Sequence, residues 1–306
     1  MSKEQLILSR LRCSLLTQDN HNSIELMGST LARPGVLSKP FYTPSMGQTA
    51  LKRLEQTYWV GCPAYLLEVI FFVHARFFDP NTDLNAQQPT MVFSSSFLPE
   101  NSEPLQCPEA LLQHIQAFDP TAWAVELQSV VFLPDLTIRI ALASIYKASV
   151  YLYASRVLSR PRQGSLANPH SWFGLPPDHS EVARFLIEQL SVIPPRDEHF
   201  KCLIWPTFIA GAECRNPAHR PIILDRLSAI YYAIATVNVR NAAWVLSLMW
   251  RKQDLRREQN ARQHGFILPE LDSTDTIPPP LPSYDDDDDF DWIQELDDSR
   301  IDWLFI

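Results

Sequence analysis

A chain of 306 residues, 46% of them hydrophobic and 20% charged, can bury a full core, and one domain with tails is the simplest count. The five cysteines are odd in number and widely spaced, at 13, 62, 107, 202 and 214, which argues against a disulfide framework and for a reducing compartment. The net charge of −9 is unevenly spread: residues 270–306 hold thirteen Asp and Glu against the single Arg300, leaving the preceding body near +3, with no electrostatic footprint for nucleic acid.

Glycine is scarce at 8 and proline abundant at 25, and the apolar stretches lack the alternation of strands. The pattern predicts an all-α fold, a multi-helix bundle or solenoid-like array of antiparallel helices joined by Pro-rich loops. The opening Met1-Ser2-Lys3-Glu4 begins an amphipathic pattern rather than the basic stub and apolar core of a secretory signal. Residues 3–16 and 22–32 read as two modest helices, followed by a proline-punctuated loop over 34–44. Another helix starts at Gln48. Cys62-Pro63 then opens a helix over 64–78 that is apolar on nearly every side and belongs in the middle of a bundle. Its most apolar run, 69–73, is bracketed by Glu68 and Arg76 and is too short to span a bilayer.

Residues 79–108 are rich in Pro, Asn, Ser and Gln and read as a surface loop, as do residues 161–177. Between them helices resume at Pro108, and Asp119-Pro120 supplies an N-cap and first position for a helix over 121–132. A longer helix follows Pro134, with one stripe at Leu136, Ile140, Ala143, Lys147, Val150 and Ala154. Residues 181–193 are again amphipathic and are stopped by Pro194-Pro195.

Residues 200–254 read as three helical segments. In the first, Phe200, Ile204 and Phe208 share a face, Pro206 forces a kink or restart, and Gly211 loosens the far end. Asn216 and Pro217 start the second, which carries Ile223, Leu227 and Ile230. Asn238 ends it and caps the third, where Ala243, Leu246 and Trp250 share a face. The helical domain thus extends over 1–268. A linker, Pro-rich and then poly-Asp, occupies 269–289, and an acidic, aromatic segment closes the chain over 290–306.

Trp205-Pro206, Phe208-Ile209-Ala210-Gly211, Glu213, Arg220, Leu227, Asn241, Val245-Leu246, Trp250 and Asp254 follow one another in an order that resembles the fungal-specific transcription factor regulatory domain. Gly61-Cys62-Pro63-x-Tyr65-Leu66-Leu67-Glu68 and the run from Tyr146 to Leu152 are similar to that domain's upstream helices, so the resemblance covers roughly 50–260. It implies an all-helical regulatory region that lies C-terminal to a binuclear zinc-cluster module in that family. Such a module needs six closely spaced cysteines, and this sequence has no C-x-x-C. DNA reading by the module is therefore not carried over; the expectation is a member without it, or a chain that begins downstream of it.

The resemblance implies a nuclear transcription regulator acting through coregulators or a DNA-binding partner rather than chemistry; the missing cysteines and near-neutral body predict no specific DNA binding by this chain alone, and the short apolar runs predict no membrane association. A cytoplasmic location, a homodimer, and a helical scaffold outside transcription stay open beside it. No G-x-S-x-G, H-E-x-x-H or phosphate-cradling glycine loop suggests an enzyme, and no cofactor is expected. Cys202 with His199 or His219 is weighed as a nucleophile pair against buried structural cysteines, which behave as small hydrophobes. Cys202, Cys214, His219 and His199 make a weak metal candidate, because zinc ligands come in tight pairs and only Cys214 and His219 lie close. The reading kept is core cysteines and a loop histidine, with no metal.

Arg251, Lys252, Arg256 and Arg257, with Arg262 beyond, form a basic cluster: a nuclear-import signal or cations complementing a helix C-terminus. The terminal segment has two readings. Its acidic and aromatic composition suits a segment that inserts Phe290, Trp292, Leu296 and Trp303 into a coregulator groove. Equally, Ile301 to Ile306 is apolar enough to dock as a closing helix or strip against the bundle.

Overall fold

The computed structural model describes residues 55, 61–77, 108–130, 135–159, 174–264 and 290–298. The helices read over 3–16, 22–32 and from Gln48, most of the two loops, the linker and Trp303 lie outside the described residues. Among the described residues every regular element is helical: α1 (Ala64–Phe77), α2 (Pro108–Ala117), α3 (Pro120–Val130), α4 (Leu136–Leu158), α5 (His179–Leu190), α6 (Ile204–Ala212), α7 (Arg220–Ile234), α8 (Val237–His264) and α9 (Trp292–Asp298).

Among the described elements the middle is α4, which packs against α1, α2, α3, α5 and α6. The sequence reading gave that place to residues 64–78. The described core positions of α1 are indeed sealed, with Leu66, Leu67, Val69, Ile70 and Val73 fully buried. Among the described elements α1 packs chiefly on α4, whose 23 residues give about 34 Å of helix against about 21 Å for the 14 of α1, long enough for five neighbours. Small residues suit α4 to this position. Ala141, Ala143, Ala148 and Ala154 let neighbours close in, and the Ser149 hydroxyl is buried without loss because it donates to the Ile145 carbonyl at 2.8 Å. Asp135 caps the start by accepting from the Ile138 amide at 3.1 Å.

The predicted cap at Asp119 is present, accepting from Thr121 and Ala122. Lys147, on the α4 stripe, donates to the Gln116 and Phe118 carbonyls at the end of α2 at 2.7 and 2.8 Å. Gly61 precedes α1 with φ of +67°, and a Cβ there would stand 3.0 Å from the Cys202 Cβ, so both backbone sign and space require glycine.

The restart expected at Pro206 takes the form of a 3-10 turn, Phe200–Leu203, followed by α6. Pro206 falls in the first turn of α6, where amides lack helical partners anyway, so its missing N–H costs nothing. Asn216 accepts from the Ala218 amide at 3.0 Å and opens a 3-10 turn, Pro217–His219, that leads into α7. The α7–α8 junction differs from the expectation at Asn238. Ala235 adopts the left-handed conformation with φ of 48°, ending α7 early, and α8 is already under way at Val237.

Gly211 does not loosen the end of α6; it permits close packing. A Cβ there would meet Leu246 of α8 at 2.5 Å and Ile223 of α7 at 3.2 Å. Leu246 and Ile223 are both fully buried and have little room to yield. Gly211→Ala is therefore expected to cost about 1–3 kcal/mol of stability by overpacking. Chemical denaturation checks this, and a change within 0.3 kcal/mol would show that α6 and α8 are not held at this distance.

Candidate functional site

Several residues that carry the family resemblance make their contacts along α6 and at its C-terminal end. Trp205 stacks on Tyr146 with ring centroids 6.4 Å apart and meets Tyr153 edge-on at 6.0 Å. Trp250 donates its indole N–H to the Gly211 carbonyl at 2.9 Å, and Arg220 lies over the Trp250 ring while forming a bidentate pair with Asp254 at 2.7 and 2.9 Å. These contacts fix where α6 ends relative to α7 and α8.

At that end stands Glu213, buried among α4, α5, α6 and α9. Arg156 of α4 donates to it through Nε at 3.0 Å and through its terminal nitrogen at 2.5 Å, a fork-to-carboxylate geometry. His179, at the start of α5, approaches Oε2 with its Nε2 at 2.9 Å and contacts Ser155 Oγ through Nδ1. Trp292 of α9 donates its indole N–H to Oε1 at 2.5 Å. Burial pushes the Glu213 carboxyl up, but Arg156 and His179 more than offset it and hold the group well below the usual carboxylate range. Glu213 is thus a permanent anion that ties four helices together.

The C-terminal segment docks here. Phe290, Trp292, Ile293 and Leu296 are buried, and Trp292 meets Phe208 of α6 edge-on at 6.1 Å. Asp291 caps the short helix by accepting from Ile293 and Gln294. Outside the apolar contact, Glu295 lies between Lys252 and Arg256 of α8, the latter at 2.7 Å, and Arg256 also covers the Phe290 ring at 5.2 Å. A shallow cleft lined by Arg156, Glu213, Gln253, Arg257 and Phe290 marks the seam.

Of the residues weighed in the basic cluster, Lys252 and Arg256 therefore face α9. Arg257 donates to the Arg215 carbonyl at 3.0 Å, Arg251 is exposed, and Arg262 sits near Glu258 at 3.6 Å. All belong to α8. Trp303, grouped with Phe290, Trp292 and Leu296 in the sequence reading, lies beyond the described residues.

The cysteines and histidines are dispersed. Cys202 lies under Gly61, its thiol pushed up to about 12 by burial; Cys214, pushed up to about 11 by burial, donates to the Asn216 carbonyl. His199 contacts Arg139, and burial followed by the Arg139 charge lowers it to about 4. Arg139 in turn pairs with Asp197 at 2.5 Å. His219 is partly exposed in the turn before α7. Among the described residues no three His, Cys, Asp or Glu side chains are grouped to hold a metal ion. No described helix is long and apolar enough to cross a membrane.

Sequence reasoning missed Glu213 as a structural centre. The signal was available: Arg139 and Arg156 lie in a largely apolar helix, and a buried guanidinium requires a buried acid.

The fungal specific transcription factor domain family matches the chain over residues 20–306. The acriflavine sensitivity control protein acr-2 of Neurospora crassa is 30% identical over 154 residues, which is 49% of this chain and 24% of that protein. The aligned part thus spans about a quarter of the relative's length. No solved structure matches the chain.

Proposed function

The chain belongs to the fungal-specific transcription factor domain family and is a transcription regulator, and on that premise we propose that it works through protein contacts made by its acidic C-terminal segment. The observation behind this is compositional. Nine large apolar side chains stand within the last seventeen residues, next to five consecutive aspartates, in a tail whose negative charge exceeds the net charge of the whole chain. An acidic segment with such side chains suits a partner groove in the helix-in-groove mode, with Trp292 as anchor beside Phe290 and Leu296, and with Trp303 further along. Action in the nucleus follows from the family, and the basic residues Arg251, Lys252, Arg256 and Arg257 are the candidate import element. The near-neutral body supports a role beside a DNA-binding module rather than direct sequence reading.

Fusing residues 283–306 to a heterologous DNA-binding module tests this reading. Reporter output should exceed that of the module alone by about tenfold and fall back when Phe290, Trp292 and Leu296 become alanine, since anchors dominate such contacts. A silent fusion would remove the segment from the regulator's working parts.

A further inference from the structure

The side chains that would enter a partner groove are the ones already buried in the bundle. Phe290, Trp292, Ile293 and Leu296 are each at most 8% exposed, whereas Gln294 and Asp298 face outward. One face of a seven-residue helix cannot occupy two grooves at once. We propose that the groove formed by α6, α8 and Glu213 competes with the coregulator for this face, and that the clamp of Lys252 and Arg256 on Glu295 is the point of release. This rests on the reading of the segment as a coregulator-binding element.

Three features favour an exchangeable contact over a fixed one. The docked helix is short and makes its charged contacts at the rim, where Lys252 and Arg256 are 57% and 49% exposed and open to competing anions or salt. Twenty-five residues separate His264 from Phe290, a tether that spans up to about 80 Å when extended, so release leaves the segment free to reach a partner. That tether contains Asp285 to Asp289, whose mutual repulsion opposes compaction next to the docked helix.

The groove also describes the partner. It offers an apolar slot for Trp292 and Leu296, an acceptor for the indole N–H, and two cations for Glu295. A coregulator that takes the same apolar face meets the same buried chemistry: a deep apolar pocket with an acceptor for the indole N–H.

The test uses the full chain fused to the same DNA-binding module, with an independent nuclear-import signal on every fusion so that Lys252 and Arg256 are not needed for import, compared with the fusion of residues 283–306 alone. Lys252→Glu with Arg256→Glu alters only half-exposed side chains of α8 and leaves the segment's sequence intact. Reporter output should rise about tenfold toward that of the segment alone, as expected for losing two ion pairs and a cation–π contact. Hydrogen exchange over 290–298 should accelerate in step, with α4 unchanged. Adding Glu295→Lys to the pair re-forms the clamp in reverse and should return both readouts toward the parent, while the same change in the isolated segment should leave its output in place.

An active isolated segment, together with a full chain whose output and exchange ignore the clamp variants, overturns the competition and leaves the coregulator reading standing. Exchange that accelerates while output stays flat does the same. A silent isolated segment removes both.

Discussion

Glu213→Gln is expected to lower the unfolding free energy by about 3–5 kcal/mol, the cost of leaving one member of a buried ion pair uncompensated. Glutamine keeps the size of the side chain and one carbonyl acceptor for Trp292. It removes the charge that faces Arg156 and His179. The loss is then a property of the charge and not of packing, and a double variant can prove it. Arg156→Met added to Glu213→Gln removes the stranded cation, so the pair should cost clearly less than the sum of the two single changes. Additive losses would sink the assignment.

The same carboxylate gives a pH signature. Its folded-state value lies well below the ordinary one because Arg156 and His179 overcome the effect of burial. A depressed folded value means that the stabilisation is complete above the unfolded value, about 4.3, and is lost as pH falls further. Stability measured from pH 6 downward should therefore drop more steeply in the parent than in Glu213→Gln. Parallel curves would show that the carboxylate is not held ionised by its neighbours.

Local devices were legible in the sequence and long-range ones were not. Asp119, Asn216 and Pro206 act within a turn of where they stand, through caps and missing amides, and the structure has them as read. The order of centrality was not legible, because apolar density marks how much a helix buries and not how many neighbours it serves. Residues 64–78 are richer in Leu and Phe, yet among the described elements α4, with its alanines and serines, has the most neighbours, since small side chains admit partners on every side. Gly211 shows the same limit. Its neighbour Leu246 is 35 positions away, so its packing role could not be told from flexibility. Glu213 gathers groups 57, 34 and 79 residues distant, and only the need of buried arginines for an acid hinted at it.

Trp292→Ala distinguishes a tail that belongs to the cooperative core from one that is latched onto it. The indole is fully buried, donates to Glu213 and meets Phe208, so truncation should cost about 3–5 kcal/mol if the segment unfolds only with the bundle. In that case Leu296→Ala, also buried, should add about 2–5 kcal/mol more. A latch behaves differently. Once one substitution has undocked the segment, nothing further can be lost from it, and the destabilisation stops at the free energy of docking. The expected result is saturation: Trp292→Ala lowers stability by up to about 3 kcal/mol, and Trp292→Ala with Leu296→Ala lowers it by no more than about 0.5 kcal/mol beyond that. The plateau then measures what a coregulator must overcome, since each 1.4 kcal/mol of docking weakens the partner's apparent affinity about tenfold. Full additivity of the two truncations would make the segment a permanent part of the core and would leave it no exposed state in which to meet a partner.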